Sequence, residues 1–98
     1  MLIKEILSEL PTATKPLVRK FEQENGSHVL AIGLKANVVL KEHKSDIPAR
    51  ILVIKGAINY VAGETKTQLD LYEEHVIPIG EYHSVEPLED SIFLVIKK

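Results

Sequence analysis

The sequence predicts one all-β domain, built as a sandwich or a barrel and preceded by a short helix. Three observations support this fold class. Short apolar runs follow one another along the chain, and turn-forming residues separate them at regular intervals. The apolar spacing of an amphipathic helix is found in the N-terminal segment, ahead of these runs. At 98 residues, the chain has room for a single modest core.

The first element is a predicted helix over residues 2–10. Its aliphatic side chains fall on one stripe, and polar residues occupy the opposite face. Pro11 ends the pattern. A helix this short is marginal in isolation, so its apolar stripe must dock on the rest of the domain. We assign residues 1–16 to this helix and an extended linker, and residues 17–98 to the β domain.

Nine strands are predicted after the linker, each bounded by turn residues. Asn25-Gly26 is a strong hairpin signal, and Asn37 and Gly80 suit backbone conformations with positive φ. The predicted strands are 17–22, 28–34, 38–44, 50–55, 57–61, 65–71, 76–79, 84–86 and 92–97.

Two of the predicted strands contain apolar runs with no alternation, 51–54 and 92–96. Runs that are apolar on both faces imply that both faces of the strand are buried. The N-terminal helix can cover part of such a sheet, and a second subunit can cover the rest. We therefore expect a homodimer.

Composition excludes several classes of function. The net charge is −2 and charges of both signs are interspersed, which argues against nucleic-acid partners and against a basic membrane-binding patch. No segment has the apolar length of a membrane span or the pattern of a secretory signal. The absence of cysteine removes disulfides, thiolate metal sites and a cysteine nucleophile, and we expect a cytoplasmic protein.

Two histidine-containing patterns stand at a fixed separation in the second half of the chain. His43 is followed by Gly56, and Pro78, Gly80 and His83 form a Pro-x-Gly-x-x-His pattern. Together they resemble the two signatures of the cupin superfamily. The 15 residues 57–71 separate the two patterns, which is similar to the short separation in small bacterial cupins.

The match to the two signatures is incomplete. In the first signature, Asn37 stands at the leading Gly, Ser45 at the second His and Ala49 at the Glu. In the second, Tyr72 stands at the leading Gly and Pro87 at the trailing Asn. Asn for Gly is a mild change because both residues tolerate positive φ. Ser for His and Ala for Glu are severe changes because they remove metal ligands.

The resemblance implies a small cupin-like β-barrel, a double-stranded β-helix of the jelly-roll type, with the N-terminal helix or arm attached to it. A metal-bearing cupin is expected to hold iron, manganese, nickel or zinc with three His and one Glu in its lumen. Only His43 and His83 match those positions, so we expect no bound cofactor. If a divalent metal is bound, His75 is the candidate third ligand, although the family pattern gives its position no such role. Strand parity puts His75 on the same face as Ile77.

Three classes of function remain open. In the first, the lumen binds a small organic molecule, with an anionic one favoured by Lys41, which shares the His43 face if the strand is regular. Its candidate contacts are His43, His83, Lys41, Ser45 and Tyr60. In the second, the protein is a metal-dependent enzyme of the dioxygenase or isomerase type, with His43, His83 and either His75 or water as ligands. In the third, the barrel is a filled structural or regulatory core and both histidines are relics. The sequence assigns no catalytic residue.

Overall fold

Nine antiparallel strands form two facing sheets in the computed structural model, which describes residues 2–21 and 28–97. The five-stranded sheet has the order β1-β2-β9-β4-β7, and the four-stranded sheet has the order β3-β8-β5-β6. The strands are β1 Leu17–Phe21, β2 His28–Leu34, β3 Leu40–His43, β4 Ala49–Lys55, β5 Ile58–Ala62, β6 Thr65–Leu69, β7 Glu74–Ile77, β8 His83–Pro87 and β9 Ser91–Lys97.

The N-terminal helix α1 spans Leu2–Glu9 and continues into a 3₁₀ turn over Leu10–Thr12. Ile6 and Leu10 are buried against the outer face of the five-stranded sheet, in a cluster with Ala31 and Ile92. Gly33 lies under the helix, and a Cβ atom there would overlap the Ile6 side chain. A residue without a side chain is therefore what lets α1 approach the sheet this closely.

The main core fills the space between the two sheets. Its buried members come from both sheets and include Ile51 and Val53 of β4, Phe93 of β9, and Tyr60 and Val85 of the smaller sheet. The outer face of β4 and β9 is apolar as well, since Ile54 and Leu94 pack against the cluster under α1. This two-sided burial is what the unbroken apolar runs of β4 and β9 predict.

The predicted elements agree closely with the structure. All nine strands are present within residues 2–21 and 28–97, with ends that differ by no more than two residues. Asn37 and Gly80 have the expected positive φ, 74° and 78°. The predicted Asn25-Gly26 turn lies outside the described residues. None of the helices in the described part of the chain has the length and apolar character needed to cross a bilayer.

Candidate functional site

The four positions that the signatures align with metal ligands lie around one interior cavity. His43 ends β3, Ser45 follows it in the loop, Ala49 begins β4 and His83 begins β8, and all four line the cavity. Its other walls are mainly apolar and include Phe93. The cavity volume is about 20 Å³. That is room for about one water molecule.

A β-bulge in β3 sets the position of His43. Leu40 pairs with Val85 and His43 pairs with His83, so three steps along β3 oppose two steps along β8. One extra residue therefore lies between these two pairs. As a result Leu40 and His43, which a regular strand would place on opposite faces, both line the cavity.

The two imidazoles are in contact and are oriented by the backbone. Their ring centroids are 4.3 Å apart and the rings are tilted by 60°. His43 Nδ1 lies 2.8 Å from the Lys41 carbonyl oxygen, and His83 Nδ1 lies 3.0 Å from the Glu81 carbonyl oxygen. A carbonyl oxygen can only accept, so each Nδ1 carries the donated proton. Each Nε2 is then the free nitrogen, because neither has a hydrogen-bond partner within residues 2–21 and 28–97.

His83 is the more buried of the pair, with 3% of its surface exposed. Burial lowers the pKa of His83 below its ordinary value of 6.5, because the interior disfavours the charged imidazolium. The hydrogen bond to the Glu81 carbonyl acts in the opposite direction, while the nearby positive charges of His43 and Lys97 lower the pKa further. His83 is therefore a neutral imidazole at neutral pH.

Tyr60 stands between His83 and His75. Its ring centroid is 5.0 Å from that of His83 and 4.6 Å from that of His75. The buried Tyr60 hydroxyl donates a 2.7 Å hydrogen bond to Glu81 Oε1, and burial raises the pKa of this hydroxyl. His75 shares the inner face of β7 with Ile77, as strand parity predicted, but lies on the far side of Tyr60.

Lys41 lies away from the cavity, whereas Ser45 lies beside it. Lys41 is exposed and lines an outer groove, and it is not among the residues around the cavity. A regular strand would put Lys41 on the His43 face, and the bulge in β3 removes that condition. Ser45 does line the cavity, but its hydroxyl donates to the Ile47 carbonyl oxygen at 2.8 Å and stabilises the local turn.

Two open grooves adjoin the cavity where β1, β2 and β3 meet. The apolar groove has a volume of about 620 Å³, and its aliphatic walls are Val18, Leu30, Ile32, Val39 and Leu40. It shares His43, Leu40 and Lys97 with the cavity. The basic groove has a volume of about 400 Å³ and is lined by Lys20, His28, Lys44 and Lys97, with Leu30 and Asp46 among its other walls.

Comparison with known proteins identifies the architecture. No protein-family model and no curated protein sequence matches the chain. Solved structures do match it. A cupin superfamily protein from Desulfitobacterium hafniense superposes with a TM-score of 0.79 at 13% identity, covering 86% of this chain and 77% of that one. A cupin-2 domain protein from Shewanella frigidimarina gives 0.77 at 17% identity, covering 97% and 90%. An RmlC-like cupin protein from Desulfovibrio desulfuricans gives 0.76 at 20% identity, covering 84% and 80%.

The protein has the cupin fold. The predicted all-β barrel with a short N-terminal helix is thereby confirmed. His43 and His83, one from each signature, line the interior cavity, whereas Pro78 and Gly80 do not. These identities are too low to transfer an activity, so the chemistry of the site follows from this chain's own side chains.

The donor set of this site does not fit a centre of three His and one Glu. His43 and His83 supply two imidazole nitrogens, Ala49 supplies no donor, and the Ser45 hydroxyl is engaged with Ile47. Within residues 2–21 and 28–97, no group of three or more His, Cys, Asp or Glu side chains is arranged to hold a metal ion. His75 contacts the Tyr60 ring and is not among the residues that line the cavity with His43 and His83.

One residue of the site, Lys97, was not predicted from the sequence. Lys97 lines the cavity and both grooves. The signal was available, because alternation along β9 puts Lys97 on the same inward face as the buried residues Phe93 and Val95. The unbroken apolar run of this strand concealed that alternation.

The lowered pKa of His83 predicts that acid destabilises this protein. Below about pH 6.5, the unfolded chain binds a proton at His83 more readily than the folded protein does, so the free energy of unfolding falls as the pH drops from 6.5 through the folded pKa. Urea unfolding measured between pH 7.5 and 5 checks this prediction. His83→Gln should lose less stability over that range than the wild type.

His28→Gln is the matched control, because His28 is an exposed histidine on β2. It should keep the full wild-type decrease in stability. A His83→Gln variant whose stability falls with pH as steeply as that of the wild type contradicts the proposed origin of the effect.

Proposed function

We propose that this protein binds a small organic molecule at the mouth of its barrel, without the usual metal centre. One observation carries the proposal. Two oriented imidazoles, each with a free Nε2, border a small cavity that shares His43 and Leu40 with an open apolar groove. Binding sites for small molecules combine a mostly apolar concave surface with a few fixed polar groups, and this combination meets that description.

The volumes favour the mouth over the closed lumen as the binding site. A cavity of about 20 Å³ accepts a water molecule but no organic ligand. Pockets for small molecules commonly have volumes of roughly 300–1,000 Å³, and the apolar groove at about 620 Å³ falls in that range. We therefore infer that the ligand's body lies in the groove and that one polar group reaches His43.

His43 is suited to that contact. Its Nδ1 proton is engaged with the Lys41 carbonyl oxygen, so a neutral His43 offers Nε2 as a hydrogen-bond acceptor. Val18 and Val39 are 46% and 43% exposed and give the ligand an apolar surface to cover. Burial of such a surface contributes about 25 cal/mol per Å².

A metal-dependent enzyme of the dioxygenase or isomerase type is the second candidate. Histidines that bind metals usually donate their other ring proton to a carbonyl or carboxylate, and both His43 and His83 do so. A bound metal would orient the substrate and polarise one of its oxygens. The protein supplies two ligands for it, so the remaining positions would belong to water or substrate.

The proposal predicts that the purified, chelator-treated protein binds N-phenyl-1-naphthylamine, a neutral apolar fluorophore, saturably and with about one site per chain. Val39→Asp, which places a charge on the wall of the apolar groove, should weaken binding by at least about fivefold, or about 1 kcal/mol. Fluorescence titration measures both. Leu88→Asp is the matched control, because Leu88 is similarly exposed at 49% and lines neither groove, and it should bind as the wild type does.

Two outcomes would contradict the proposal. Absence of saturable binding would favour the third class, a barrel that is only a filled core. Stoichiometric iron, nickel, manganese or zinc in the untreated protein, lost in both His43→Ala and His83→Ala, would favour the metal-dependent enzyme.

We also propose that two copies associate through the outer face of the five-stranded sheet. Helix α1 covers one end of this face, while Leu52, Leu94 and Ile96 remain partly exposed beyond it and Val76 is 52% exposed. Register places Leu52 beside Leu94, and Arg50 between Val76 and Ile96. A twofold dimer brings the same patch together from both subunits and covers these residues at once.

Sedimentation analysis at micromolar concentration should therefore give the mass of a dimer. Val76→Arg should shift the equilibrium toward monomer, because a charge would be buried in the interface. Leu88→Arg, with a similar exposure on a different part of the surface, should remain dimeric. A monomeric wild type rules out this interface.

A further inference from the structure

We propose that the ligand is an anionic amphiphile of the aliphatic-acid type, with its chain in the apolar groove and its carboxylate in the basic groove. This inference rests on the proposed binding at the barrel mouth and specifies what binds there. It depends on two features of the described residues: the two grooves share lining side chains, and the apolar groove is richer in aliphatic side chains than the basic groove.

The continuity comes from the inner face of the β1–β2 hairpin. Val18 pairs with Ile32 and Lys20 pairs with Leu30, so these four side chains stand on one face of the two strands. His28 continues that face beyond Leu30. Both grooves are lined by Leu30 and Lys97, so the two grooves adjoin at these side chains and, in this proposal, form one channel.

The side chains that line the grooves also change along this face, between Ile32 and His28. From Ile32 to His28 the chain advances four residues, or about 13 Å at roughly 3.3 Å per residue. At the Ile32 end the aliphatic walls are Val18, Ile32 and Val39, and Lys15, Lys41 and Glu42 also line this groove. At the His28 end the walls are Lys20, His28 and Lys97, and His28 and Lys97 are paired across β2 and β9.

Lys44, on the loop after β3, also lines the basic groove. Its Nζ lies 5.5 Å from the centre of the Tyr82 ring. Among the described residues that line this groove, Asp46 is the one carboxylate, against three lysines. None of these lysines forms an ion pair with another residue in 2–21 or 28–97, whereas Arg19, Lys35, Arg50 and Lys66 all do.

This local excess of positive charge contrasts with the chain's net charge of −2. Cations around a concave surface attract anions and repel other cations. An apolar channel that ends in such a cluster complements a molecule with a hydrocarbon chain and one anionic end. Its length of about 13 Å suits a medium-length chain better than a small polar acid.

Octanoate is the probe that tests this inference, with 1-octanol and octylammonium as probes of the same chain length and different charge. Calorimetric titration at low ionic strength should give octanoate at least about tenfold tighter binding than 1-octanol, equivalent to about 1.4 kcal/mol, and the weakest binding for octylammonium. Added salt should reduce the advantage of octanoate, because exposed charges are screened.

Variants of the basic groove identify the residues responsible. Lys20→Gln and Lys44→Gln should each weaken octanoate binding by roughly three- to tenfold and leave 1-octanol binding unchanged, since both lysines line the basic groove and neither lines the apolar groove. Lys55→Gln is the matched control. Lys55 is an exposed lysine at the opposite end of β4 from Ala49, about 20 Å along the strand, and its loss should change neither affinity.

The outcomes separate this inference from the function on which it rests. Equal affinity for octanoate and 1-octanol would support binding at the mouth and contradict the proposal that the ligand is anionic. A failure of all three probes, together with N-phenyl-1-naphthylamine, overturns both. If Lys55→Gln weakens octanoate binding as much as the variants of the basic groove do, the effect comes from overall charge, and the proposed role of the basic groove is contradicted. Co-sedimentation with phosphatidylglycerol vesicles that Lys20→Gln abolishes overturns a free ligand in favour of a lipid surface.

Discussion

The pairing of His43 with His83 across β3 and β8 is the contact on which the candidate site depends. The bulge in β3 inserts one residue before His43, which places this exposed imidazole beside the cavity and against the His83 ring. The backbone carbonyl oxygens of Lys41 and Glu81 then fix the two rings through Nδ1. Without the bulge, His43 would face away from the interior, and the cavity would have His83 as its single imidazole.

Four signature positions surround the cavity, but two of them lack the side chains of metal ligands. This explains why the cavity is small and mainly apolar. His43, Ser45, Ala49 and His83 surround it in the arrangement that the signature spacing predicted. Ala49 contributes no donor, and the Ser45 hydroxyl is engaged in its own turn. The neighbouring aliphatic and aromatic side chains close the remaining space, so any organic ligand has to bind where the barrel opens rather than at its centre.

Periodicity and spacing were sufficient to predict the barrel, because each strand's sequence reports which of its faces is buried. The same reasoning misplaced Lys41, since strand alternation carries no sign of a bulge. It placed His75 on the correct face but could not anticipate that Tyr60, which is distant in sequence, lies between His75 and His83. The grooves were also out of reach, because they form where β1, β2, β3 and the end of β9 meet in space.

The most direct test of this account is the protonation of the two imidazoles, which long-range ¹H–¹⁵N NMR of the histidine rings reports at slightly alkaline pH. The account predicts that His43 and His83 both carry the proton on Nδ1 and leave Nε2 unprotonated in the chelator-treated protein. A proton on Nε2 of either ring would remove the free nitrogen that the proposed ligand contact requires, and would contradict the account.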